Sequence, residues 1–146
     1  MHHLYHEHAA ADVERLQRAG YIERNGGVVH LTDVSVHRRG QKFAFIMDTR
    51  LCDAAFELAE DADLLVCEST FADADAALAD DYGHLTAGQA GQIAAAAGAR
   101  RLVLTHFSQR YDEGGAMARL RRDAAAAYDG DIVMAADLDR VPVPPR

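Results

Sequence analysis

The chain has 146 residues, with 23 acidic against 15 basic side chains, a net charge of −8 and 49% hydrophobic residues. A chain of this size is long enough for one domain and one core, burying roughly 70% of its unfolded surface, and its acidic balance argues against a nucleic-acid grip spread over the whole surface while leaving room for a local basic site. No apolar stretch is as long as a membrane span, no export signal opens the chain, and two cysteines, Cys52 and Cys67, set no disulfide framework, so a reduced, cytoplasmic setting is expected.

The opening "MHHLYHEH" carries interrupted histidines, and residues 1–10, lacking periodicity, are expected to be irregular. Val13 and Leu16 share a face, which predicts a helix over 11–19 stopped by Gly20. In "YIERNGGVVHLTDV", Asn25-Gly26 between two short apolar runs predicts a hairpin. "HRRGQ" reads as a turn. "KFAFIMDT" then reads as a strand, apolar almost throughout, as expected of one covered on both faces. Residues 52–60 read as a short helix and "DLLVCES" as a second buried strand. A second helix of this region is expected over 71–79, ending in the loop "DDYGH". A third follows over 86–97, closed by Gly98. "RLVLTH" is the third strand, 115–128 the next helix, "DIVMA" the fourth strand and "VPVPPR" an extended tail. From Lys42 onward, strands and helices alternate. That order predicts an α/β domain with a mixed, mostly parallel sheet and helices packed on it.

In open α/β sheets, functional groups gather beyond the C-terminal ends of the strands. The first strand ends near Asp48 in "MDTR", the second at Glu68 in "CEST" and the third at His106, while His84 stands in the loop before the third helix. Each has a simpler role open to it. Asp48 can cap the next helix, Glu68-Ser69-Thr70 can start one, His84 can be a loop residue and His106 can bond the backbone. Four such groups at one edge weaken those readings together. The chemistry they suggest is metal-assisted hydrolysis. Asp48 suits a carboxylate bridging two zinc ions and His106 an imidazole completing one sphere. Glu68 and His84 would form an acid–base pair, the carboxylate orienting the imidazole that protonates a leaving oxygen. Ser108 and Arg110, just past His106, could hold a phosphate, with a surface ion pair as the alternative for Arg110.

"MDTR", "CEST", "YGHLTA" and "LVLTHFSQRY", in this order and spacing, closely resemble the C-terminal half of ribonuclease Z, the tRNA 3′-processing endonuclease of the metallo-β-lactamase fold. The resemblance runs from about Gly40 to Arg146. It implies that Asp48 is the metal-bridging aspartate and His106 the last metal-binding histidine, and that Glu68 and His84 are the proton-donating pair. Cys67 stands where the family has a histidine, and Leu85 where it has a serine; neither change removes the Glu or the His. The family's His-x-His-x-Asp-His motif, with its general-base aspartate and a further histidine, is absent. His2, His3, His6 and His8 do not reproduce it, and a weak adventitious metal site is the most they suggest. Residues 11–37 fall about where bacterial members place the tail of their tRNA-gripping arm, without its Gly-Pro signature.

The resemblance therefore implies an αββα sandwich represented by its C-terminal half. Residues 1–39 would be an N-terminal segment, a possible remnant of the substrate arm, and 40–146 the C-terminal half of the domain. It further implies two zinc ions per complete site, precursor tRNA as substrate, phosphodiester hydrolysis that removes the 3′ trailer, a homodimer, a cytoplasmic setting and no membrane. Asp48 and His106 alone are too few ligands for two zinc ions, so a chain truncated at its N-terminus is expected to show negligible activity by itself. Two other readings stay open: a non-catalytic association module, and a metallo-β-lactamase-fold hydrolase of another substrate.

Overall fold

The computed structural model describes residues 2–36, 38–112 and 115–146, with side chains described from residue 10 onward. The chain divides into two compact units, Met1–Arg39 and Gly40–Arg146.

The first unit opens on α1 (His2–Ala19), which starts well before the expected residue 11. Between Ala9 and Ala19 there is no glycine or proline, and Ala9, Ala10 and Ala11 are strong helix formers, so nothing breaks the helix at its N-terminal side. The metal site suggested for His2, His3, His6 and His8 lies outside the described side chains. β1 (Tyr21–Arg24) and β2 (Gly27–His30) pair antiparallel as expected. Asn25 and Gly26 both take positive φ, 50° and 79°, the turn that matches the strands' twist. Among the described residues, Leu16 and Ile22 are the buried apolar ones of this unit. A single helical turn, α2 (Leu31–Val34), follows.

The second unit runs β3 (Phe43–Ile46), α3 (Asp53–Ala59), β4 (Leu64–Glu68), α4 (Ala76–Tyr82), α5 (Ala87–Ala96), β5 (Arg101–Thr105), α6 (Ala116–Ala127) and β6 (Asp131–Met134). The four strands are parallel and lie in the order β3-β4-β5-β6. Parallel crossovers are right-handed, so an order that advances in one direction places every connecting helix on the same face. Ala44, Ile46, Leu65, Cys67, Leu102, Leu104 and Ile132 accordingly form one core with Ala90, Ile93, Ala94, Leu120 and Ala124 of the helices.

The consequence falls on β3, which the sequence placed under cover on both faces. Phe43 and Phe45 are 56% and 53% exposed, while Ala44 and Ile46 are buried. An apolar run does not by itself say how many layers cover it. The C-terminal segment "VPVPPR" forms neither helix nor strand and is tied down. Gln41 Nε2 donates to the Val143 and Pro144 carbonyls, Arg101 to Pro142, and Arg100 to Pro145.

The helix expected over 71–79 begins only at Ala76, after a 3₁₀ turn at Asp73–Asp75. Residues 69–71 stay extended because their backbone is already committed. Ser69 N–H donates to Thr105 O, Ser108 N–H to Thr70 O, and Phe71 bridges Thr86 in parallel. α4 stops at Gly83, left-handed at φ 76°. Thr86 caps α5, its hydroxyl accepting from Gln89 N–H while the Gln89 side chain accepts from Thr86 N–H.

Candidate active site

The C-terminal edge of the parallel sheet gathers Asp48, Glu68, His84 and His106. Each arrives by a different route. Glu68 is the last residue of β4, opposite Thr105 of β5, and is fully buried. Asp48 and His106 lie just past the ends of β3 and β5, both in left-handed backbone at φ 51° and 60°. That conformation costs a non-glycine residue roughly 1–3 kcal/mol and persists only where the surroundings impose it. Aspartate and histidine are among the residues that tolerate it best. His84 follows Gly83, whose positive φ reverses the chain, and its N–H donates to Ala79 O.

Glu68 is the hub. Its Oε1 accepts from Thr49 N–H at 2.7 Å. Its Oε2 accepts from the Thr70 hydroxyl at 2.7 Å, from His84 Nδ1 at 2.9 Å and from Leu85 N–H at 3.2 Å. Burying a carboxylate is costly unless donors surround it, and here four do. Among the described residues no buried side-chain polar atom lacks a partner.

Thr70 extends the network. Its Oγ1 lies 2.9 Å from His106 Nδ1. A hydroxyl has one proton, and Glu68 takes it, so Thr70 accepts the proton of His106 Nδ1. With His106 Nδ1–H committed through Thr70 to Glu68, the ring nitrogen left to face the site is Nε2, 3.6 Å from Asp48 Oδ1. His84 likewise gives Nδ1–H to Glu68 and keeps Nε2 for other work. The two imidazoles sit with centroids 5.3 Å apart. Sequence reasoning gave Thr70 only to a helix start. The signal was present: in extended chain, residues two apart share a side, so Thr70 follows Glu68 into the site.

One donor atom each from Asp48, His84 and His106 lies within 4.8 Å of the others. An exposed carboxylate beside a neutral imidazole nitrogen is a donor set that suits a divalent cation, so the residues fit a metal. Cys67, beside Glu68 in sequence, is not part of this set. Burial pushes its thiol up, the Glu68 charge adding to the effect, and it stays protonated in the core.

Ser108 and Arg110 are not in the cluster itself. They line a hollow of roughly 250 Å³ beside it, together with Thr70, Phe71, Tyr82 and His84. The Arg110 guanidinium lies over the Phe71 ring, 5.5 Å from its centroid.

A beta-lactamase superfamily domain model matches residues 12–107. Ribonuclease Z of Streptomyces coelicolor is 58% identical over 135 residues, covering 92% of this chain and 43% of that protein. Ribonuclease Z of Salinispora arenicola is 50% identical over 141 residues, covering 97% and 45%. Human tRNase Z, short form, superposes with a TM-score of 0.54 at 30% identity over 80% of this chain and 37% of that one. The metallo-beta-lactamase fold protein YhfI from Bacillus subtilis superposes with a TM-score of 0.56 at 33% identity over 64% and 36%. The chain thus spans less than half the length of the ribonuclease Z proteins it matches. It has the metallo-β-lactamase fold in the form of one parallel sheet with its helical layer. From the match over 12–107, and with ribonuclease Z homologues aligned along nearly its whole length, the chain belongs to the beta-lactamase superfamily.

Proposed function

We propose that the chain contributes these residues to a zinc-dependent endoribonuclease that removes the 3′ trailer from precursor tRNA. The observation that carries this is the buried Glu68 holding His84 Nδ1 at 2.9 Å, within the same cluster as Asp48 and His106. A metallo-β-lactamase-fold hydrolase of another substrate needs the metal ligands; the additional carboxylate–imidazole pair suits a reaction with a poor leaving oxygen. The ribonuclease Z names of the relatives supply the substrate class.

Asp48 and His106 would hold the metal. When bound, it supplies Lewis-acid polarisation of a phosphoryl oxygen. Glu68 fixes the His84 ring so that Nε2 faces the reacting group, and a proton on Nε2 passes to the leaving ribose oxygen. Ser108 and Arg110 hold the phosphate. Residues 1–39 would be a segment of the arm that grips tRNA, and 40–146 the catalytic portion. The family resemblance supports a homodimer in the cytoplasm. Both cysteines are free thiols, in keeping with a reducing compartment.

The test uses a chimera in which this chain replaces its matching segment in the Streptomyces coelicolor relative, assayed on a precursor tRNA with a 3′ trailer. His84→Ala is expected to lower turnover by about 10²–10⁴ with metal content unchanged, and Asp48→Ala to lose both metal and activity. Full turnover in the His84→Ala chimera would remove the proton-donor role.

A further inference from the structure

We propose that the hollow beside His84 is a nucleobase subsite, in which a base stacks on Tyr82 while Arg110 and Ser108 hold its phosphate. This rests on the reading of the site as one that handles RNA, and adds to it a place for a base.

Tyr82 is the last residue of α4 and is 70% exposed. A tyrosine used only for packing would be covered. Its ring instead lies nearly parallel to Phe71, at 23° and 6.3 Å between centroids, with Phe71 only 5% exposed. Phe71 also packs at 6.2 Å from the His84 ring and carries the Arg110 guanidinium over its face. One anchored ring thus sets the positions of an exposed aromatic face, an imidazole and a cation around one hollow.

The end of α4 is pinned as well. Arg50 Nε donates to Asp80 O at 3.0 Å, and its guanidinium packs against Gly83, where an added Cβ would lie 3.4 Å from it. Arg50 stands two residues beyond Asp48, so one side chain ties the Asp48 loop to the helix end that presents Tyr82 and His84. A preset aromatic face loses little freedom on stacking.

The combination selects the ligand. A phosphate alone would have no use for the exposed ring. An aliphatic ligand would make no use of the Arg110 guanidinium or the Ser108 hydroxyl. An aromatic face flanked by a guanidinium is how single-stranded nucleic acid is held, base on ring and phosphate on cation. Roughly 250 Å³ lies below the about 300–1,000 Å³ of drug-sized sites, so the hollow takes a small group rather than a long ligand.

The chain contains no tryptophan, so Tyr82→Trp installs a single indole on the stacking face. Titrating this variant of the full chain with adenosine 5′-monophosphate is expected to quench its fluorescence saturably, and ribose 5-phosphate is expected to bind about tenfold more weakly by competition. In calorimetry, Tyr82→Ala is expected to weaken adenosine 5′-monophosphate about tenfold and leave ribose 5-phosphate unchanged, while Tyr82→Phe restores affinity. No binding of adenosine 5′-monophosphate, equal affinity for the two ligands, or indifference to Tyr82→Ala would each overturn the subsite. These readings use binding, not cleavage. Nucleotide binding in a chimera that leaves precursor tRNA intact would strike the nuclease reading and leave the subsite standing.

Discussion

At the scale of single residues, Thr70 links the two imidazoles of the site. It donates to the same Glu68 oxygen that holds His84, and it accepts from His106 Nδ1. Removing the hydroxyl keeps the shape but frees the His106 ring to flip or change tautomer. Partners of this kind typically account for 10–100-fold in metal affinity. Thr70→Val is therefore expected to weaken zinc binding by about 10–100-fold with little change in fold, read by competition with a chelating dye. An unchanged zinc affinity would show that Asp48 and the backbone position His106 without it. Asp48, Glu68, His84 and His106 were each legible as candidates because a strand end or a cap-like loop marks them. Thr70 was legible only in part, since its role depends on Glu68 being fully buried, which sequence does not state.

Between elements, two contacts tie distant segments together. The first is Gly91 in α5, where α6 comes so close that a Cβ would meet Ala124 O at 2.5 Å and Ala124 Cα at 3.1 Å. Both neighbours are backbone and cannot swing aside. Gly91→Ala is expected to destabilise the fold by about 1–3 kcal/mol, measured by urea unfolding, even though alanine is the better helix former. The second is Asp63 at the entry to β4, buried under the tail. Burial alone would raise its carboxyl. Lys42 N–H at 2.7 Å, Arg146 Nε at 2.6 Å and Arg100 at 3.3 Å outweigh that and hold it below the ordinary carboxylate value. With the folded value depressed, the stabilisation is present above the unfolded value and is lost as pH falls through the folded one. Wild-type stability should thus fall along an acid limb that is flatter in Asp63→Asn, seen by following the urea midpoint from neutral pH downward. Parallel limbs would mean that Asp63 contributes no pH dependence.

At the scale of the whole molecule, the Gly40–Arg146 unit is a sheet with one face under helices and one face partly open. Phe43 and Phe45 stand on the open face of β3, and β3 has no second strand neighbour among the described residues. An exposed apolar strand at a sheet edge invites association. Phe43→Lys combined with Phe45→Lys is expected to lower the sedimentation-measured mass of concentrated protein without altering its circular dichroism. An identical mass distribution would show that this face does not mediate association. Among the described residues no helix is long and apolar enough to cross a membrane.

The amino-acid sequence by itself determined the strand and helix order from Phe43 to Met134, the hairpin at Asn25-Gly26, and the candidates Asp48, Glu68 and His106 at the strand ends with His84 in a loop. These depend on local periodicity, turn chemistry and caps, which act over a few neighbouring positions. Only the tertiary structure decided that β3 is covered on one side. The same holds for the extended path of residues 69–71, for Thr70 joining His106 to Glu68, and for Phe71, Tyr82 and Arg110 sharing one hollow. Those arrangements each involve residues distant in sequence, Thr70 and His106 lying 36 positions apart for one, so they depend on strand order, register and which face the helices take. An apolar run reads the same whether one layer covers it or two.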